Sequence, residues 1–192
     1  LARVCVKNNS RLIWLSTIHC DKFDEEKNSN FDKYSLSKFV GESLIKSIEN
    51  WDKLVLILRL GNIIGAPGIL YKGSSNLFAI HIASNLFKNK KAIIQNQEDV
   101  LINTTSISNL LYYVNSNITG AVRCESDLKF KITEIALCLK KHYEDITSEK
   151  CTIIFKGKFL NDDKELSIPN KINSDLRDLI NYFYMSSKKV IK

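Results

Sequence analysis

Two continuous apolar runs on either side of a helix-patterned segment constrain this chain more than any other feature. Leu12–Leu15 (LIWL) and Leu54–Leu60 (LVLILRL) are apolar at nearly every successive position instead of alternating. Strands buried on both faces read this way. Between them, Leu36, Phe39, Val40, Leu44 and Ile48 recur at three- and four-residue steps, which predicts a helix over Lys33–Glu49 with one buried stripe. Two doubly buried strands joined through a helix form the crossover unit of a parallel sheet, and the class expected is α/β.

The rest of the chain supplies further pieces of the same kind. Ala2–Lys7 reads as a helix tail, and the polar stretch Asp21–Asp32 as an exposed loop. The Gly65-Ala66-Pro67-Gly68 turn breaks the pattern after the second strand. Beyond it, helices are expected at Asn76–Lys88, Ile107–Val114, Ile132–Tyr143 and Asp175–Tyr184. Strand-like segments lie at Ala92–Ile94, Val100–Ile102, Ala121–Cys124 and Cys151–Phe155, and no internal repeat is visible.

No apolar run approaches the roughly 18 to 20 residues that span a bilayer, and the opening segment does not read as a signal peptide. A cytoplasmic location with no membrane partner is expected. Five cysteines without C-x-x-C spacing, with only three histidines, predict reduced thiols and no metal site. The net charge of +7 comes from lysines dispersed along the chain, not from a clustered basic patch. A nucleic-acid partner is therefore not expected, while a mildly basic surface suits an anionic diphosphate. The chain opens on Leu1 and its single methionine is Met185, which predicts a piece of a longer protein.

Chemistry concentrates where the first strand ends. Ligands of doubly wound α/β folds sit outside the carboxyl ends of the strands, and the first run ends in Ser16-Thr17. The helix that follows carries Tyr34 and Lys38, four apart and so on one face. A phenol with a pKa of about 10 is a poor base at neutral pH. A cation about 4 Å away contributes at most roughly 4 kcal/mol at an effective dielectric of ~20, or up to about three pKa units. Tyr184 and Lys188 repeat the spacing with no strand end before them, and that copy is expected to be inert.

The ordered set Leu15-Ser16-Thr17-Ile18-His19, Tyr34 to Lys38 with Gly41-Glu42, and Leu58-Arg59-Leu60-Gly61-Asn62 with Gly65-Ala66-Pro67 resembles the extended short-chain dehydrogenase/reductase family. Within it, the chain is similar to the NAD-dependent epimerase/dehydratase branch that handles nucleotide sugars. The resemblance implies the C-terminal part of a Rossmann-type doubly wound parallel sheet with a small α+β substrate-binding subdomain. It puts residues 1–65 and about 103–125 in the Rossmann-type portion, and about 66–102 and 126–192 in the substrate-binding portion. It also implies an epimerase- or reductase-type oxidoreductase with NAD or NADP as cofactor, a nucleotide-diphosphate sugar as substrate, and room for a homodimer.

By the same resemblance, Thr17, Tyr34 and Lys38 are catalytic and contact the cofactor. Thr17 would bind the reacting sugar oxygen, Tyr34 would be the acid/base, and Lys38 would lower its pKa and hold the nicotinamide ribose. Gly61 would line the nicotinamide side and Asn62 would help hold the substrate diphosphate, while Arg59 is expected to be structural. Three departures qualify the pattern. The glycine-rich turn G-x-x-G-x-x-G is not in this sequence, so the chain alone is expected to bind NAD(P) negligibly. Ile18-His19 replaces the acidic pair of dehydratases, which disfavours a 4,6-dehydratase. Ile102 stands near the place of an arginine that grips the substrate phosphate. The rival reading is a binding or scaffold protein that kept the fold. The intact trio of Thr17, Tyr34 and Lys38 argues against it.

Overall fold

A computed structural model of the chain describes residues 1–24, 32–68, 77–95, 99–125, 128–160 and 168–189. Their contacts divide into two compact units, Leu1–Gly61 with Ser108–Glu125, and Asn62–Ile107 with Ser126–Lys192.

The first unit is built on a parallel sheet of β1 (Leu12–Thr17), β2 (Val55–Leu60) and β6 (Gly120–Cys124), in the order β1-β2-β6. Leu12 pairs with Val55 and Thr17 with Leu60, so both strands end together. All six residues of β2 are buried, as its unbroken apolar run requires of a central strand. Helix α1 (Ala2–Lys7) contributes Ala2 and Val6 to a cluster around Ile45, Val55 and Ile57, joined by Trp14 and Trp51. Arg11 donates to the carbonyls of Tyr113, Val114 and Ile118, at and just beyond the end of α5 (Ile107–Asn115), and satisfies groups that a helix end leaves open. The segment read as a loop begins with a short helix, α2 (Asp21–Asp24), and residues 25–31 lie outside the described residues.

Helix α3 (Lys33–Lys46) occupies the expected place, but it turns a different face inward. Its buried residues are Ser35, Glu42 and Ile45, whereas Leu36, Val40 and Leu44 are exposed. Two contacts fix this rotation. The ring of Trp14 on β1 lies against Gly41, where a Cβ would come within 2.5 Å of Cζ2. At the next position, the carboxylate of Glu42 is drawn inward by the guanidinium of Arg59. An ion pair and a close ring–backbone approach thus override an apolar stripe.

In the second unit, β3 (Asn62–Ile64) runs parallel to β5 (Leu101–Ser106), which is antiparallel to β7 (Lys129–Lys131). A second small sheet pairs β4 (Lys91–Ile94) parallel to β8 (Thr152–Phe155) and β8 antiparallel to β9 (Lys158–Phe159). Helices α4 (Phe78–Asn89), α6 (Ile132–Thr147) and α7 (Asn170–Lys189) share one core, in which Ile82, Leu86, Ile135, Leu139, Leu176 and Leu179 are fully buried. Gly65, at φ +150°, passes so close to Ile107 that a Cβ there would overlap its side chain. No helix among the described residues is long and apolar enough to cross a membrane.

Candidate functional site

At the C-terminal end of β1 the chain turns through a 3-10 segment, Ile18–Cys20. Thr17 caps it, with Oγ1 accepting the His19 N–H at 3.3 Å, and its side chain is buried. Asp32 caps α3 in the same way: Oδ1 accepts the Ser35 N–H at 2.8 Å and Oδ2 accepts the Ser35 hydroxyl at 2.6 Å. These hydrogen bonds from Ser35 hold the Asp32 carboxyl below the usual carboxylate range. The cap fixes where the helix begins and so places Tyr34 in its first turn, 58% exposed.

Lys38 follows one turn later, half-buried, with Nζ 5.7 Å from the centroid of the Tyr34 ring and 5.5 Å from that of Trp14. Its hydrogen bond goes elsewhere, to the carbonyl oxygen of Leu15 at 3.0 Å. Partial burial, with the Cys20 thiol and the Asp32 carboxylate nearby, pushes the Tyr34 phenol above its ordinary pKa. In this state the phenol holds its proton at neutral pH.

Beneath these residues lies an ion-pair network. The Arg59 guanidinium donates to Glu42 through Nε (3.0 Å to Oε1, 3.2 Å to Oε2) and Nη2 (2.6 Å to Oε2), and its Nη1 pairs with Asp21 Oδ1 at 2.6 Å. Ser16 Oγ donates to Glu42 Oε1 at 2.5 Å, and Arg123 bridges Asp21 at 3.2 Å to Glu125 at 2.7 Å. Burial alone would raise the Glu42 carboxyl, but the bonds from Arg59 and Ser16 outweigh it and hold the group below its ordinary value. Cys20, with no exposed surface, has its thiol pushed up by burial. The network ties the end of β1, the middle of α3 and β2 together beneath Thr17, Tyr34 and Lys38.

The structure brings Thr17, Tyr34, Lys38 and Gly61, which directly follows β2, into the first unit. Asn62 belongs to the second unit, where its Nδ2 donates to the Asn103 carbonyl at 3.1 Å. The sequence points to a structural role for Arg59 but not to its partners. Glu42 had a readable signal, an acid four residues after Lys38, and Asp32 another, an acid just before the helix. The second tyrosine–lysine pair lies on α7 with Lys188 Nζ only 4.3 Å from the Tyr184 ring, closer than in the first pair. Spacing alone therefore brings a cation to a phenol. What differs at Tyr34 is the strand end beside it.

The second unit holds a recess of about 200 Å³ lined by Phe78, His81, Ile82, Ile93, Ile94 and Gln95. Four of its lining side chains are apolar, and His81 and Gln95 are polar.

The sequence matches no protein-family model, and no curated protein is similar to it in sequence. Solved structures are similar in fold. RMD from Pseudomonas aeruginosa, complexed with NADPH, aligns with TM-score 0.63 at 15% identity over 91% of this chain and 66% of its own. UDP-glucuronic acid 4-epimerase from Bacillus cereus, in complex with NAD, gives 0.64 at 16% over 97% and 65%. UDP-glucose 4-epimerase from Thermotoga maritima, with UDP-glucose, gives 0.67 at 12% over 97% and 68%. The chain thus spans about two thirds of the length of these solved chains, and its fold is the Rossmann-like α/β fold they share.

Proposed function

We propose that this chain carries the catalytic portion of an NAD(P)-dependent oxidoreductase of the epimerase or reductase type acting on nucleotide-diphosphate sugars. The observation that carries the reading is the exposed Tyr34 phenol, held beside Lys38 by a capped helix that follows the strand ending in buried Thr17. Structural neighbours that bind NAD, NADPH or UDP-glucose support it at the level of fold.

The residues present fit a nicotinamide ribose on two counts. Lys38 offers an ammonium whose hydrogen bond is to a single backbone carbonyl, and Gly61 puts a residue without a side chain at the end of β2. When bound, the nicotinamide would supply the hydride chemistry. The protein's own part is proton movement and orientation. Tyr34, protonated at neutral pH, would donate from its phenol oxygen to a substrate ketone oxygen and recover the proton in the reverse direction. The Thr17 hydroxyl would hold that same oxygen. By the same reading Asn62, at the start of β3, would help hold the substrate diphosphate. That portion of the chain would then be the substrate-binding subdomain.

The test uses a gene product that carries a glycine-rich phosphate turn ahead of this chain, assayed with UDP-, ADP- and GDP-sugars and NAD⁺ or NADPH. Tyr34→Phe is expected to lower turnover by about 10² to 10⁴, the range for loss of an acid/base group, and Tyr184→Phe to leave it unchanged. Equal losses from both would refute the reading, as would clear micromolar binding of NAD(P) by the chain without such a turn.

A further inference from the structure

In the second unit, α6 and α7 pack through a shared apolar core that includes Ile135, Leu139, Ile172 and Leu176. One polar cluster interrupts this seam. Cys138, 4% exposed, and the half-buried His142 lie four residues apart on α6 and so share a face. Asn173, in the first turn of α7, meets both. Its Oδ1 accepts from the Cys138 thiol at 3.2 Å and lies 2.7 Å from His142 Nε2. An amide oxygen can only accept, so the imidazole hydrogen of this bond sits on Nε2. Burial pushes the Cys138 thiol up to about 11, against the opposing pull of the Lys141 ammonium, and the thiol keeps its proton at neutral pH. A sulfur, an imidazole nitrogen and an amide oxygen thus converge between two helices.

We propose that Cys138, His142 and Asn173 form a site for a thiophilic divalent cation of the zinc class, which clasps α6 to α7. Thiolate and imidazole are the donors such ions select. The sequence expectation of no metal site rested on the lack of C-x-x-C spacing, and Cys138-x-x-x-His142 is a different pattern, one turn of a helix. Bond lengths of about 2.3 Å to sulfur and about 2.0 to 2.1 Å to nitrogen or oxygen put tetrahedral donor atoms roughly 3.4 to 3.6 Å apart. The present gaps from the oxygen, 3.2 and 2.7 Å, must therefore open by about 0.4 to 0.7 Å, within reach of small side-chain rotations. The ion takes the place of the thiol proton, which leaves to solvent, and the neutral imidazole carries its hydrogen on Nδ1 instead of Nε2. Among the described residues, no group of three or more cysteine, histidine, aspartate or glutamate side chains gathers. The third donor is accordingly a neutral amide oxygen, and water completes the shell. His142, half-buried, gives the ion its way in from solvent.

The experiment needs neither nucleotide nor turnover, so its outcome is separate from that of the proposed function. It uses the chain as it stands, under a phosphine reductant that keeps the thiols reduced, with Co²⁺ as optical probe and Zn²⁺ as competitor. Co²⁺ should add a near-ultraviolet thiolate-to-metal band that saturates at one ion per chain, and Zn²⁺ should abolish it. Calorimetry in two buffers of different ionisation heat should count about one proton released per ion. Cys138→Ser should remove the band, whereas Cys151→Ser should keep it. His142→Gln should weaken binding by at least about tenfold. Asn173→Asp should tighten it, because a carboxylate then stands where the neutral oxygen did, a gain that a purely structural contact between the helices would not produce. Circular dichroism checks that each variant is folded, and His142→Gln and Asn173→Asp decide the matter even where Cys138→Ser does not fold. The absence of a band at millimolar Co²⁺ would overturn the proposal, as would a band that survives Cys138→Ser, or an affinity that neither His142→Gln nor Asn173→Asp alters.

Discussion

Replacing Arg59 by methionine removes the guanidinium but keeps a long side chain in β2. It leaves the Glu42 carboxylate, which has no exposed surface, without the three short contacts that now neutralise it. Among the described residues, Ser16 at 2.5 Å and Lys46 at 3.4 Å remain, and the lysine reaches in from a partly exposed position. Breaking a buried pair from one side costs about 3 to 5 kcal/mol, because the remaining charge keeps its desolvation penalty. That is a large share of the stability of a domain this small. The sign of the pH dependence is also fixed. In the wild type the Glu42 carboxyl sits below its ordinary value, so its contribution is present above about pH 4.5 and lost as the pH falls through the folded-state value. In Arg59→Met burial is no longer outweighed, the folded value rises above the unfolded one, and acid relieves the penalty. The stability gap between the two proteins should therefore be widest near neutral pH and should narrow on acidification toward about pH 5. Adding Glu42→Gln to Arg59→Met should recover much of the loss at neutral pH. Urea denaturation followed by tryptophan fluorescence is suited to this, since both tryptophans, Trp14 and Trp51, lie in the first unit. A gap below about 1 kcal/mol at neutral pH, or one that widens on acidification, would refute the reasoning.

Two further changes test the packing that sets the site and its neighbouring unit. Gly41→Ala should destabilise the first unit by about 1 to 2 kcal/mol and shift Trp14 emission, because the new Cβ would meet the indole at 2.5 Å and overpacking outweighs the gain in helix propensity. A more stable protein with unchanged emission in the same urea series would contradict the contact. In the second unit, Tyr143 is buried and donates to Glu149 at 3.0 Å, and burial and this bond push its phenol up to about 12. A raised phenol pKa stabilises the fold below the unfolded value, and the contribution is lost as the pH rises from about 10 toward 12. Tyr143→Phe should lower stability by about 1 kcal/mol at neutral pH and flatten the alkaline loss, read by circular dichroism in urea at stepped pH.

The legible parts of the fold are those in which one residue type repeats a single demand. β2 is apolar at almost every step because it is central, and α6 and α7 carry long amphipathic stretches, so their existence follows from the pattern. Strands of two or three residues such as β3, β7 and β9 are too short to carry a period, and they form because a neighbour offers backbone groups at the right register. The inward face of α3 departs from its pattern for a related reason. Leu36, Val40 and Leu44 satisfy the spacing rule, but Glu42 becomes the buried residue because Arg59, 17 positions later on β2, supplies its partner. A pairing over that distance leaves no local trace in a hydrophobic pattern, since helical spacing reports only neighbours three and four residues apart.

The site shows the same division between what spacing carries and what it does not. Four-residue spacing puts Lys38 on the face of Tyr34, but it does equally well for Lys188 and Tyr184, which approach more closely. The Tyr34 phenol is pushed up by partial burial, with the Cys20 thiol and the Asp32 carboxylate nearby, while the Lys38 ammonium is bonded to a backbone carbonyl 23 positions before it. The helix that carries the acid/base candidate is therefore readable from the chain. Its protonation behaviour is not, because it follows from burial and from the groups that folding brings beside the phenol.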